Sequence, residues 1–270
     1  MKLFGICLIK NEADIIAYSL TKHSVWADLI FVYDNGSTDG TWEIVLELAK
    51  TNPKIIPFKQ EAKPFRDGLR AEVFNTFKHL ASDGDWWCIR CDSDEFYIDD
   101  PRVILPQISR FHQVVTSLHY EYYLTQEELP TYQFNKPTEE LLNQIHYYHP
   151  KVTSETRFIK HRSRLVWPET DGFPKRKGIV SPIKIRLKHF QFRTPEQIEA
   201  RMKVRKQARA DGYKYFVKDV VETWKELVLP QGELIKESPE MRYGWVKDPN
   251  HIPWYLYTYR FIMHALKIYP

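Results

Sequence analysis

The sequence predicts an α/β protein, with a mostly parallel sheet flanked by helices, an antiparallel extension of that sheet and a helical, aromatic C-terminal segment. Three observations carry this expectation. Dense apolar runs in the first hundred residues each stop at a polar cluster, as strands buried on both faces do. Segments with helical spacing separate those runs, and strand-helix alternation of this kind implies parallel pairing. From about residue 114 the pattern changes to alternation by twos with frequent turn residues, which reads as antiparallel strands. A chain of 270 residues that is 43% hydrophobic can bury one sizeable core and little more.

In order, Leu3, Phe4, Ile6, Leu8 and Ile9 form the first strand, ended by Lys10-Asn11-Glu12. Residues from about Asp14 to Val25 place Ile15, Ile16, Leu20 and His23 at helical spacing. A second strand, Leu29 to Tyr33, stops at Asp34-Asn35-Gly36-Ser37-Thr38-Asp39-Gly40, a composition that means a tight loop. Thr41 to Lys50 returns to helical periodicity. Then come a short strand at Ile55 to Phe58, a helix through Leu69 to Ser82, and a strand at Trp86 to Cys91 running into Asp92-Ser93-Asp94-Glu95-Phe96. Val114 to Tyr123, Leu165 to Trp167 and Ile183 to His189 read as further strands. Thr194-Pro195-Glu196-Gln197 offers an N-cap, a first-turn proline and a capping-box glutamine, so a helix runs from there to about Asp211. Composition resembles a linker only around Pro230 to Pro253.

The formal charge of +4, from 39 basic and 35 acidic residues, lacks the imbalance of a nucleic-acid-binding module, and no such partner is expected. Cys7, Cys88 and Cys91 are an odd number, with no second pair at zinc-finger spacing, so buried thiols in a reduced, cytoplasmic protein are expected. The N-terminal apolar stretch is broken at once by charges, unlike a signal peptide. No run is long enough to span a bilayer.

The polar clusters at 10–12, 34–41 and 92–95 all follow strands, and in parallel sheets ligands bind beyond the strands' carboxyl ends. Asp92 and Asp94, at i and i+2 in one loop, can engage a divalent cation such as Mn²⁺ or Mg²⁺, which prefers oxygen ligands and leaves positions for phosphate. The alternative is a solvated acidic loop, which placement at a strand end argues against. Asp34 and Asp39 flank a glycine loop where a carboxylate can accept from a base or ribose hydroxyl, although Asp39 or Ser37 can equally cap the following helix.

Taken together, Lys10-Asn11-Glu12, Asp34 to Thr41 and Asp92-Ser93-Asp94-Glu95-Phe96 resemble, in order and spacing, the motifs of glycosyltransferase family 2, in particular its bacterial surface-polysaccharide and lipopolysaccharide branch. A weaker echo lies at residues 188–197. The resemblance implies a GT-A-type, Rossmann-like catalytic domain over 1–200, its nucleotide-sugar half about 1–100 and its acceptor half about 101–200, with 201–270 as an extension. It implies inverting, metal-dependent transfer from a nucleotide-diphosphate sugar, UDP-linked by family frequency, to a glycan or lipid-linked acceptor in surface-polysaccharide synthesis. Lys10, Asn11, Glu12, Asp34, Asp39 and Asp92 would then bind the donor, with Arg66 or Arg70 supplying a phosphate contact. Asp92 and Asp94 would hold the metal, with His189 as a late ligand or, alternatively, a structural histidine. An inverting transfer needs a carboxylate to take the acceptor's proton, and Asp171 and Glu169 are the candidates by order, with Glu121 in reserve.

Basic runs at 160–164, 175–177 and 201–209, with the aromatic stretch Trp254 to Met263, suit peripheral contact with an anionic membrane face. The alternative is that this tail packs as a core helix. Two other functions compete: a sugar nucleotidyltransferase, which should carry a glycine- and cation-rich loop where this chain has Lys10-Asn11-Glu12, and a catalytically silent carbohydrate- or nucleotide-binding scaffold.

Overall fold

A computed structural model describes residues 1–212, 221–241, 245–247 and 253–269. It begins with β1 (Leu3–Ile9), α1 (Ile16–Trp26), β2 (Leu29–Asp34), α2 (Thr41–Thr51), β3 (Ile55–Gln60), α3 (Leu69–Phe77) and β4 (Trp86–Cys88). β1 pairs in parallel with β2 and β4, and β2 with β3, so the order is β4-β1-β2-β3. Successive side chains alternate between two cores, as the pleat requires. Leu3, Cys7, Ile30 and Val32 meet Ile16 and Leu20 of α1 and Val45 of α2. Phe4, Ile6, Phe31 and Tyr33 face the other way, onto Leu69, Val73 and Phe74 of α3. Because both faces are covered, the strands carry no polar alternation and read as continuous apolar runs.

The chain continues with β5 (Glu95–Tyr97), α4 (Pro101–Ile104), β6 (Val114–Tyr123), α5 (Thr138–Gln144), β7 (Tyr147–Tyr148), β8 (Lys151–Lys160) and β9 (Ile185–His189). β8 runs antiparallel to both β4 and β6. β9 lies between β6, to which it is parallel, and β5, to which it is antiparallel. This is the α/β class expected, with three corrections. The expected strand at Leu165 to Trp167 is a buried loop: Trp167 packs on Phe74 and its carbonyl accepts from Asn75 Nδ2 at 2.8 Å. The strand beside β4 and β6 is instead β8, whose Thr, Ser, Glu and Arg residues hide a buried element behind a polar sequence. The strand expected to reach Cys91 ends at Cys88, and the helix after Leu69 ends at Phe77, with one 3₁₀ turn beyond.

α6 (Pro195–Ala210) starts as expected: Thr194 accepts from Gln197 N at 3.1 Å, and Gln197 Oε1 accepts from Arg193 N at 3.1 Å. β10 (Ile235–Lys236), β11 (Trp245–Lys247) and α7 (Trp254–Ala265) follow. β10 pairs with β7 and β11 with β8, so the linker-like stretch contributes to the sheet; its residues 242–244 and 248–252 lie outside the described residues.

All three cysteines are buried and free. Cys91 Sγ is 3.3 Å from Nδ1 of His23, whose Nε2 is 2.9 Å from the Glu95 carbonyl. A carbonyl only accepts, so Nε2 carries the proton. Burial drives His23 from 6.5 down to about 4. The unfolded chain therefore takes up a proton that the native state refuses, and stability present above pH 6.5 is lost as pH falls toward 4. Between pH 7.5 and 5 the loss is about 2 kcal/mol. Urea unfolding at both pH values should show His23→Gln losing about 2 kcal/mol less than the parent.

Candidate active site

The loops after β1 and β2 are tied together by their own polar groups. Asn11, at φ 56°, accepts on Oδ1 from Thr38 N at 2.9 Å, while its N–H donates to Ser37 Oγ at 2.8 Å. Positive φ is tolerated by asparagine better than by most residues. Asp39 accepts from Thr41 N at 3.1 Å on one oxygen and from Ala13 N at 3.1 Å on the other. Both its oxygens thus help to tie the loops, while the exposed carboxylate keeps lone pairs for further hydrogen bonds. Asp34 differs: it is wholly buried, Oδ1 accepts from Ser37 N at 2.6 Å, and Oδ2 has no partner among the described residues. Burial pushes its pKa up, against the Ser37 N–H that favours the charged form.

Beyond these strand ends lies a cleft of about 180 Å³ between the β1 loop and α6. Ile9, Asn11, Glu12 and Asn35 line it from the sheet side, and Gln197, Arg201 and Arg205 from the helix. The four-residue spacing puts those three helix side chains on one face. Lys10 and Lys63 also line the cleft. Four cations against the two carboxylates of Glu12 and Asp211 leave the opening net positive and suited to an anion, and two of the four come from the helix whose charges read in the sequence as suited to a membrane face.

Asp94 does not line this cleft but meets its wall through Arg201. It is buried, and its Oδ2 lies 3.1 Å from Arg201 Nη1, 3.3 Å from His189 Nε2 and 4.0 Å from Arg193 Nη1. Burial alone would raise its pKa, but His189, Arg201 and Arg193 outweigh it and hold the carboxyl well below the usual range. For His189 burial works toward the neutral form, and Asp94 overcomes it, so that pKa is raised. The pair meets because Glu95 opens β5 in register with His189 of β9, and Phe190 N donates to the Asp94 carbonyl at 2.8 Å. Across the other edge of β9, His189 stands in register with Glu121 of β6.

Asp92 accepts from Arg70 Nη2 at 2.8 Å, and its other oxygen is 3.9 Å from Arg157. Burial raises its pKa, but Arg70, Arg157 and Arg90 outweigh that and hold it ionised. Arg157 is fully buried and grips Glu95 through both oxygens, at 2.5 and 2.9 Å. It also donates to His119 Nε2 at 2.8 Å.

Two donor sets could hold a divalent cation. Glu95, His119 and His189 present atoms within 4.8 Å of one another. Arg157, however, already engages both Glu95 oxygens and one His119 nitrogen, so a second cation there would face a fixed positive charge. Asp94 and His189 form the other set: their facing atoms are 3.3 Å apart, a carboxylate oxygen and an imidazole nitrogen suit Mn²⁺ or Mg²⁺, and Asp92 stands two residues away in the same loop, but Arg201 at 3.1 Å and Arg193 at 4.0 Å already face this carboxylate, so a metal ion here would also have to displace positive charge.

Other residues singled out by sequence lie off the cleft. Arg66 is half-exposed and 3.9 Å from Glu169. Arg70 is buried and committed to Asp92 and to Asp67, the latter at 3.2 Å. Asp171 accepts from Thr170 Oγ1 at 2.8 Å. The 168–173 loop crosses α3's approach so closely that a Cβ on Gly68 would meet the Glu169 carbonyl at 1.8 Å. It therefore borders the Asp67, Arg70, Asp92 chain of contacts, while Glu169 and Asp171 do not line the cleft. Sequence reasoning missed Arg157, Arg193 and Arg201. Arg193 stands in the 188–197 segment already noted, four residues past His189, and that was the signal available for it.

The family model described as Glycosyl transferase family 2 matches residues 7–165, more than half of the chain. No curated protein matches. Among solved structures, the chain is similar to the mannosyltransferase PcManGT of Pyrobaculum calidifontis in complex with GDP-Man and Mn²⁺, at 13% identity and a TM-score of 0.40. That match covers 78% of this chain and 63% of the other, so the chain spans less than two thirds of the length of the protein it matches.

Proposed function

Because the chain belongs to glycosyl transferase family 2, we propose that its cleft takes a nucleotide-diphosphate sugar and that the protein transfers the sugar, with inversion, to a glycan or lipid-linked acceptor in surface-polysaccharide synthesis in the cytoplasm. The observation that carries this reading is a cleft lined by Lys10, Lys63, Arg201 and Arg205, with the unpartnered oxygen of buried Asp34 next in sequence to its lining residue Asn35 and, joined to the cleft by Arg201, the Asp94–His189 pair. The free Asp34 oxygen would accept from a base N–H or ribose hydroxyl. Lys10, Arg201 and Arg205 would take diphosphate oxygens, since guanidinium forks match that geometry. Asp94 and His189, with Asp92, would hold Mn²⁺ or Mg²⁺, which when bound neutralises charge on the departing nucleoside diphosphate.

The chain's own part in the chemistry is to position the donor and to accept a proton. For that proton Asp171 and Glu169 are the candidates by sequence order, though neither lines the cleft, and Glu121 is the reserve, supported by its register with His189. UDP-sugars are the first donors to try. A thermal-shift screen against UDP-, GDP-, CMP- and dTDP-sugars, each with Mn²⁺, Mg²⁺ or EDTA, tests the reading. Binding at 100 times Kd should add about 2.7 kcal/mol of stability, for one nucleotide class only and not in EDTA. The absence of any shift would move the assignment to a silent scaffold.

A further inference from the structure

α7 presents an outer face that stays exposed, touched only at Tyr259 by Tyr269 among the described residues. Tyr255, Tyr259, Ile262 and Leu266 recur at spacings of four, three and four, which a 3.6-residue period places on one stripe. They are 57%, 50%, 49% and 64% exposed, and Trp254 at the head of the helix is 80% exposed. The opposite face is the one that touches the body: Tyr257 OH is 3.3 Å from His112 Nε2, the Phe261 ring lies tilted against Phe111 with centroids 5.5 Å apart, and Arg164 donates to the Lys267 carbonyl at 2.7 Å. The helix is thus attached by one side, with an apolar stripe aimed outward. No α7 residue is buried, so the tail is no core helix.

Charge separates the occupants of such a face. Residues 253–269 include Arg260 and Lys267 and no carboxylate, and Arg164, Lys175 and Arg176 lie in the segments beside them. A second copy docking stripe to stripe would bring these cations against their own counterparts, because a two-fold contact pairs like with like. An anionic bilayer instead complements them, at a depth where Tyr and Trp rings are half in hydrocarbon and keep their polar atoms in water. We propose that α7 is an interfacial anchor that lays its Tyr255-Tyr259-Ile262-Leu266 face into an anionic membrane surface, with the neighbouring cations meeting the lipid headgroups.

The test is co-sedimentation of the full chain with vesicles of phosphatidylglycerol and phosphatidylcholine, or of phosphatidylcholine alone. The expected result is a partition coefficient at least about tenfold higher on the anionic vesicles, falling when salt screens the headgroups. Ile262→Asp with Leu266→Asp, at exposed positions and so without cost to the fold, should lower it about tenfold or more; an unchanged melting temperature checks folding. Equal recovery in the supernatant with both vesicle types would overturn the proposal. So would a dimer in sedimentation velocity that the same pair of substitutions dissolves, with no vesicle binding. No sugar transfer enters the measurement, so its failure leaves the donor-site reading intact.

Discussion

Asp94→Asn is expected to remove metal-dependent binding of nucleoside diphosphate and to lower turnover by about 10² to 10³ or more, the loss typical of removing one fixed charge-stabilising group from a site. The carboxylate is buried, yet held ionised by His189, Arg201 and Arg193. An amide of the same shape keeps one oxygen but no charge, so neither a divalent cation nor three positive side chains are balanced. The fold should suffer less than with alanine, because the volume is kept and Arg193 retains Glu12 and Asp14. Isothermal titration of UDP and GDP with Mn²⁺ checks it. An unchanged affinity would mean that the metal binds elsewhere, with Glu95, His119 and His189 then the remaining set. Asp34→Asn gives a useful contrast, since it should weaken nucleoside binding in Mn²⁺ and EDTA alike.

The parts of the site legible in the sequence were those whose signal is local. β1 and β2 are buried on both faces, so their apolar runs and the polar residues that end them mark strand and loop without any knowledge of partners. The α6 cap was legible for the same reason, since Thr194 and Gln197 meet across one turn. β5 was not, because three residues that begin with a glutamate carry no strand pattern, yet its pairing with β9 is what brings Asp94 to His189. β8 was hidden for a related reason: its polar residues serve a buried network, with Arg157 reaching Glu95 across 62 positions. Asp39 shows the limit on the other side. Its place in the loop matches a ligand-binding reading and a loop-tying one equally, and the hydrogen bonds from Thr41 and Ala13 show the second without removing the first. The sequence offers Arg66 or Arg70 as a phosphate contact, and cannot show that Arg70 is buried beside Asp92, where it helps to hold that carboxylate ionised.

Arg193→Met is expected to destabilise the protein by about 3–5 kcal/mol, the usual cost of leaving a buried ionic cluster without its central charge. Arg193 is fully buried, donates to both oxygens of Asp14 at 2.7 and 3.0 Å, to Glu12 Oε2 at 2.8 Å and to the Phe190 carbonyl at 2.9 Å. It thereby joins the loop after β1 to the turn between β9 and α6, the two sides of the cleft. Glu12 is the sensitive partner: burial raises it from 4.5 to about 7 even with Arg193 opposing the shift. Without the guanidinium it should move higher still. A carboxyl raised in the native state holds a proton that the unfolded chain has released, so stability falls as pH rises between the two pKa values. Arg193→Met should therefore be more destabilising at pH 8 than at pH 6. Adding Glu12→Gln should recover part of the loss and flatten the pH dependence, since the pair shares one interaction and the two changes are not additive. Urea unfolding of the parent, Arg193→Met, Glu12→Gln and the double variant at both pH values measures this coupling. If the single and double variants lose equal stability at both, Glu12 does not sense Arg193, and its place in the cleft is open for direct contact with a ligand.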